Sequence, residues 1–272
     1  MNVSMYLDRI GYQGAVAPTL ETLDRLIAHH LAAVPFENLD IIRLHRPIVL
    51  DDERLFDKIV HERRGGFCYE LNGLFAALLE ALGYGVTRGY GTWPSRDGVW
   101  TVPFEHIVLG VTLPDSQARM LVDVGFGADC PVMAIPLDST QVRDVRGREV
   151  EAYRAVAKPG QPDRWRIDVK RNDADWARVY ETDLTPRTLE DFAERCHYLQ
   201  TSPESHFTQS LICSRPLENG RVTLGGDKFI LKTDGDRVER ALEGFSDELS
   251  QLREWFGIVI DPERYGGGQW PT

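Results

Sequence analysis

The chain has 272 residues, enough to bury one large core or two to three smaller ones, and its 42% hydrophobic and 27% charged residues are those of an ordinary globular protein. Its net charge of -11, from 42 acids against 31 bases with no basic cluster, excludes a nucleic-acid partner, whose phosphates would be repelled. No stretch approaches the roughly eighteen apolar residues of a membrane span, so neither membrane nor nucleic acid is expected as a partner.

In chain order, the first eighty or so residues read as helical. From Leu20, the positions Leu23, Leu26, Ile27, Leu31 and Val34 follow one helix face, with Thr19 as N-cap and Pro35 as stop. A second helix is predicted from Asp52 to His61, with Leu55, Phe56, Ile59 and Val60 inward. A third runs from Cys68 to Leu82, ending at Gly83. After Gly85 short segments rich in Val, Ile, Trp and Thr alternate with Gly, Pro and Asp. Strands are predicted at Val86–Trp93, His106–Leu113, Met120–Val124, Tyr153–Ala157 and Trp165–Lys170, antiparallel and barrel-like. Thr188–Cys196 is read as helical. Beyond Thr201 come a further helix, strands at Arg221–Leu224 and Lys228–Thr233, and a last helix from Ser246 to Phe256. The closing Gly266–Thr272 reads as a flexible end.

The N-terminus carries an acid early and lacks a cleavable apolar core. The four cysteines, Cys68, Cys130, Cys196 and Cys213, are widely spaced without a Cys-x-x-Cys pair, which points to reduced thiols and a cytoplasmic location. The seven histidines show no metal-ligand spacing, so no metal is expected.

Cys68 opens its helix behind Arg63-Arg64-Gly65-Gly66-Phe67. A helix N-terminus and neighbouring guanidinium groups both favour a thiolate. A lone buried cysteine is usually a small hydrophobe, and the case for chemistry rests on residues downstream. A tight hairpin near Pro114–Asp115 makes His106 and Asp123 direct cross-strand neighbours, and a longer loop makes them diagonal ones. Within Leu121-Val122-Asp123-Val124-Gly125 the acid alternates with valines, as suits a buried group that orients an imidazole. A thiolate nucleophile needs a base, and the base a fixed tautomer. The order Cys, His, Asp also occurs in transglutaminase-like folds, so spacing alone leads to activated-cysteine acyl transfer.

These residues resemble the arylamine N-acetyltransferases. Arg64-Gly65-Gly66-Phe67-Cys68-Tyr69-Glu70-Leu71-Asn72 is similar to the family's nucleophile motif, and Val34-Pro35-Phe36-Glu37-Asn38-Leu39 to its N-terminal signature. Val122-Asp123-Val124-Gly125-Phe126-Gly127 resembles the strand and loop carrying its acid. Ser202-Pro203-Glu204-Ser205-His206-Phe207 resembles a stretch opening its third domain. The resemblance implies an α+β protein with a cysteine-protease or transglutaminase-like core: a helical bundle over 1–84, an antiparallel β-barrel over 85–198 and an α/β lid over 199–272. It implies ping-pong transfer from acetyl-coenzyme A, through Cys68, to an arylamine, arylhydrazine or N-hydroxyarylamine. Gly125, Phe126, Gly127 and Phe207 would flank the coenzyme; Phe36, Phe126 and Phe207 would wall the acceptor. Glu105, however, stands where a small polar residue such as Thr is expected, and its carboxylate is expected to repel the coenzyme's phosphates or alter the histidine. Alternatives are an amide synthase using a carrier-bound acyl chain, a hydrolase with the same triad, and a silent interaction module.

Overall fold

The computed structural model describes residues 1–95, 98–127, 130–137, 143–144, 150–171, 174–233 and 235–265. The expected flexible end at Gly266–Thr272 lies outside them. The N-terminal part carries α1 (Val3–Arg9), α2 (Leu20–Ala33), a two-residue strand β1 (Phe36–Glu37), α3 (Leu39–Ile42), α4 (Asp52–Phe56) and α5 (Cys68–Ala81). Thr19 caps α2 by accepting the Thr22 N–H at 3.2 Å. The helix predicted over Asp52–His61 is not one α-helix: after Phe56 the backbone widens into a π turn over Asp57–His61. That turn brings Lys58 inside, onto Asp40 at 3.0 Å and Glu70 at 2.7 Å. Leu71, Leu74, Phe75 and Leu78 of α5 are fully buried against Tyr6, Leu23, Leu26 and Ile27 of the preceding helices.

The central part is one antiparallel sheet in the order β5-β4-β3-β2-β9-β8-β7-β6. Its strands are β2 (Gly85–Thr92), β3 (His106–Thr112), β4 (Arg119–Val122), β5 (Ile135–Pro136), β6 (Arg143–Asp144), β7 (Val150–Lys158), β8 (Gln161–Arg171) and β9 (Ala177–Arg187). β5 at one edge packs against β7 near the other, so the sheet curls into a barrel around Val108, Leu121, Trp165, Ile167 and Tyr180. β9 was not predicted. Tyr180, Thr182, Asp183 and Leu184 are all buried, so both faces are covered and polar residues interrupt the alternation that would reveal it.

A 3₁₀ turn at Glu190–Phe192 leads into α6 (Ala193–Thr201), which lies later than the helix predicted over Thr188–Cys196. After α7 (His206–Gln209) come β10 (Ile212–Leu217), β11 (Gly220–Gly225), β12 (Lys228–Thr233), β13 (Asp236–Ala241) and α8 (Phe245–Phe256). The second sheet runs β1-β10-β11-β12-β13, so Phe36 and Glu37 from the helical part pair with Ser214 and Cys213. Sequence gave no sign of β10, which carries Pro216, or of β13, an edge strand exposed along its length. Among the described residues no helix is long and apolar enough to cross a membrane.

Candidate active site

The start of α5 is fixed before its first residue. Gly65 passes so close to the helical part that an added Cβ would meet the Pro35 carbonyl oxygen at 1.9 Å. Phe67 is extended, and the Glu70 side chain folds back to accept its N–H at 3.1 Å while taking the Lys58 ammonium on the other oxygen. Cys68 is therefore the first helical residue. Arg64, expected to aid the thiolate, is instead committed to Glu37 at 2.9 Å and Asp40 at 3.0 Å. Arg9 donates to backbone carbonyls of Ile59, Ala33, Arg63 and Arg64.

His106 opens β3, and Asp123 follows the last residue of β4. The hairpin register pairs Leu109 with Val122 and Gly110 with Leu121. Continued, it sets Asp123 across from Val108 and makes it the diagonal neighbour of His106, the longer-loop alternative. His106 Nε2–H donates to Asp123 Oδ2 at 2.8 Å. That leaves Nδ1 for the thiol of Cys68, the ring's other close electrostatic partner.

Asp123 is saturated with donors. Oδ2 also accepts from the Tyr180 hydroxyl at 3.1 Å, and Oδ1 accepts from Asn72 Nδ2 and the Gly125 N–H, each at 2.9 Å. Asn72, one turn into α5, donates to the Ile107 carbonyl as well and accepts the Val124 N–H. One amide thus ties the nucleophile's helix to both the histidine's strand and the acid's loop. Gly125 permits this closeness, since a Cβ there would lie 2.8 Å from Cys68 Cα and 2.9 Å from Asn72 Nδ2.

Electrostatics follow from this packing. Burial works against charge on His106, but Asp123's carboxylate and hydrogen bond, aided by Cys68, overcome it and raise the imidazole from 6.5 to about 10. Burial would raise Asp123, yet the histidine and its other donors hold it below the ordinary carboxylate value. Burial pushes the Cys68 thiol up, and the histidine's hydrogen bond and charge, then the Ile107 N–H, oppose that rise. Thiolate stabilisation comes from His106 rather than from arginines.

A cavity of about 340 Å³ opens onto Cys68 and His106, and all the predicted contact residues reach it: Phe36, Gly125, Phe126, Gly127 and Phe207. Sequence reasoning missed several others. Trp93 lies edge-on to Phe126 at 5.3 Å, and Tyr180 packs against Phe126 at 4.9 Å and His106 at 5.9 Å. Ile212, Ser214 and Thr223 of the second sheet complete the far wall. Only Asn72 had a visible signal, as part of the motif following Cys68; Tyr180 lies on the unpredicted β9. Glu105 also lines the cavity, paired from behind with Arg195 at 2.5 Å, and the groups that set the His106 value are Asp123 and Cys68.

No disulfide joins the four cysteines. Among the described residues no group of three or more His, Cys, Asp or Glu side chains is placed to hold a metal ion.

A family model described as N-acetyltransferase matches residues 19–265. The arylamine N-acetyltransferase of Mycolicibacterium smegmatis is 34% identical over 263 residues, covering 96% of this chain and 93% of that protein. The solved arylamine N-acetyltransferase of Mycobacterium marinum superimposes with a TM-score of 0.85 at 33% identity, covering 97% of this chain and 96% of the other. The same figures hold for that enzyme solved in complex with CoA.

Proposed function

The chain belongs to the arylamine N-acetyltransferase family, and on that premise we propose that it moves an acetyl group from acetyl-coenzyme A through Cys68 to an arylamine, arylhydrazine or N-hydroxyarylamine. The observation that carries this reading is the His106–Asp123 hydrogen bond beside Cys68, with Cys68 and His106 both opening onto one aromatic cavity. The chain divides by function into a helical part at 1–84 presenting the thiol, a barrel at 85–198 presenting histidine and acid, and a lid at 199–272. The strand Phe36–Glu37 joins the first of these to the lid's sheet. The protein works in the cytoplasm, where its unbridged thiols stay reduced.

The thiol proton passes to His106 Nδ1, and Asp123 stabilises the imidazolium at Nε2. The thiolate attacks the acetyl carbonyl carbon, the bond to the coenzyme's sulfur breaks, and the proton returns from Nδ1 to that departing sulfur. The coenzyme leaves. The acceptor nitrogen then attacks the Cys68 thioester, its proton goes to Nδ1, and Cys68 departs from the acetyl carbon to restore the starting pair. Gly125, Phe126, Gly127 and Phe207 contact the coenzyme's thiol arm, and Phe36, Phe126 and Phe207 hold the acceptor ring. Their apolar faces keep water from the thioester, which favours an amine over hydrolysis.

Initial rates measured with acetyl-coenzyme A against 4-anisidine or hydralazine should give parallel double-reciprocal lines, with one N-acetylated product per coenzyme A released. Intersecting lines, or coenzyme release without acetylated amine, would overturn the proposal.

A further inference from the structure

Glu105 is the one carboxylate among the described residues lining the active-site cavity, and no Lys or Arg lines it. It is held rigidly. Phe104 before it takes a left-handed conformation, with φ 67°, and the Tyr69 hydroxyl donates to the Phe104 and Glu105 carbonyls at 2.6 and 3.2 Å. Tyr69 directly follows the nucleophile, so this turn is fixed relative to Cys68. Arg195 of α6 donates through Nε to Oε2 at 2.5 Å, its guanidinium lying 4.1 Å over the Tyr198 ring. The arginine stands behind the carboxylate and does not line the cavity. A molecule in the cavity therefore meets the negative end of the ion pair. His206, also in the wall, adds no opposing cation near neutral pH, because burial lowers its pKa, and the positive charge on His106 is already balanced by Asp123.

We infer that Glu105 selects the acceptor by charge, disfavouring aromatic amines that carry an anionic ring substituent and favouring those with a neutral hydrogen-bond donor or a cation. This rests on the acetyltransferase reading and adds a substrate preference to it. Unit charges about 6 Å apart in a partly buried site, with half the effect cancelled by Arg195, give roughly a tenfold factor, or ~1.4 kcal/mol.

The test compares kcat/KM for 4-aminobenzamide and 4-aminobenzoate, which share shape and differ in charge. Each ratio is taken within one protein, so a general loss of activity cancels. The wild type should favour the amide. Glu105→Gln, which removes the carboxylate and leaves the Arg195 charge uncompensated, should lower the amide-to-acid ratio about a hundredfold. Arg195→Gln, which unmasks the carboxylate, should raise it about tenfold, and this variant carries the test alone if Glu105→Gln fails to fold. Ratios equal to wild type in every folded variant would overturn the inference. The burst of p-nitrophenol from p-nitrophenyl acetate reads Cys68 acylation separately. A wild type with neither burst nor acetylated amine would refute the acetyltransferase reading itself, whereas a normal burst with unchanged ratios refutes only the role of Glu105.

Discussion

Replacing Asp123 with Asn changes one atom and removes one charge, and the packing dictates how the amide must sit. All four groups around the carboxylate donate: His106 Nε2 and Tyr180 on Oδ2, Asn72 Nδ2 and the Gly125 N–H on Oδ1. The Gly125 donor is backbone, and Asn72 cannot turn over without losing its bond from the Val124 N–H. The new NH₂ is therefore forced toward His106 and donates to Nε2, moving the ring proton to Nδ1, where a base is needed. Loss of the carboxylate also returns His106 from about 10 to 6.5 or below. That removes on the order of 5 kcal/mol of preference for the imidazolium. Turnover should fall about a thousandfold or more, as for other triad acids. The fold should persist, since the cavity volume is unchanged. The assay is the pH dependence of Cys68 alkylation by iodoacetamide, alongside kcat and thermal melting. The alkylation profile should move to higher pH than in wild type. Near-normal turnover with an unshifted profile would remove Asp123 from the mechanism and leave a Cys–His dyad.

Cys68→Ser should leave the melting temperature nearly unchanged and abolish transfer, because a buried hydroxyl is far less acidic than a thiol; residual turnover above a trace would reassign the nucleophile. Gly125→Ala should cost about 1–3 kcal/mol in a urea melt and at least tenfold in activity, since its Cβ must displace the start of α5 or Asn72. The folded His106 value, about 10, lies above the 6.5 of an unfolded histidine, so its contribution to stability is complete below pH 6.5 and is lost as pH climbs through 10. Urea midpoints across that range should show the decline in wild type and lose it in Asp123→Asn. Saturating coenzyme A should slow iodoacetamide labelling of Cys68 without changing that of Cys196 or Cys213, which line no part of the cavity; an unchanged Cys68 rate would separate donor and nucleophile.

Segments with a clean apolar period were legible: α2, α5, β2, β3 and β8 lie close to where their spacing puts them. β9 was hidden because Thr182 and Asp183 occupy buried positions, satisfied by the Tyr90 carbonyl, the Thr185 N–H and Arg164. β13 was hidden because an exposed edge buries no stripe at all. The His106–Asp123 pair was legible for a different reason, as the two lie on one hairpin where a longer loop shifts them only from direct to diagonal neighbours. Cys68 was brought to them by motif resemblance, since no local rule says which strand α5 will pack against. Tyr180 and Arg195 act through contacts 57 and 90 residues away in sequence, and spacing carries no trace of such pairings. Arg64 shows the opposite failure. Its proximity in sequence suggested a partner for the thiolate, but two buried carboxylates claim it.

The central claim is a covalent acetyl group on Cys68, and intact-mass spectrometry after brief incubation with acetyl-coenzyme A and no acceptor measures it directly. The account predicts a gain of one acetyl group, located on the peptide containing Cys68, that disappears when an arylamine is added and does not form in Cys68→Ser. An unmodified mass under conditions where an arylamine is acetylated would contradict it, since transfer would then proceed without the thioester.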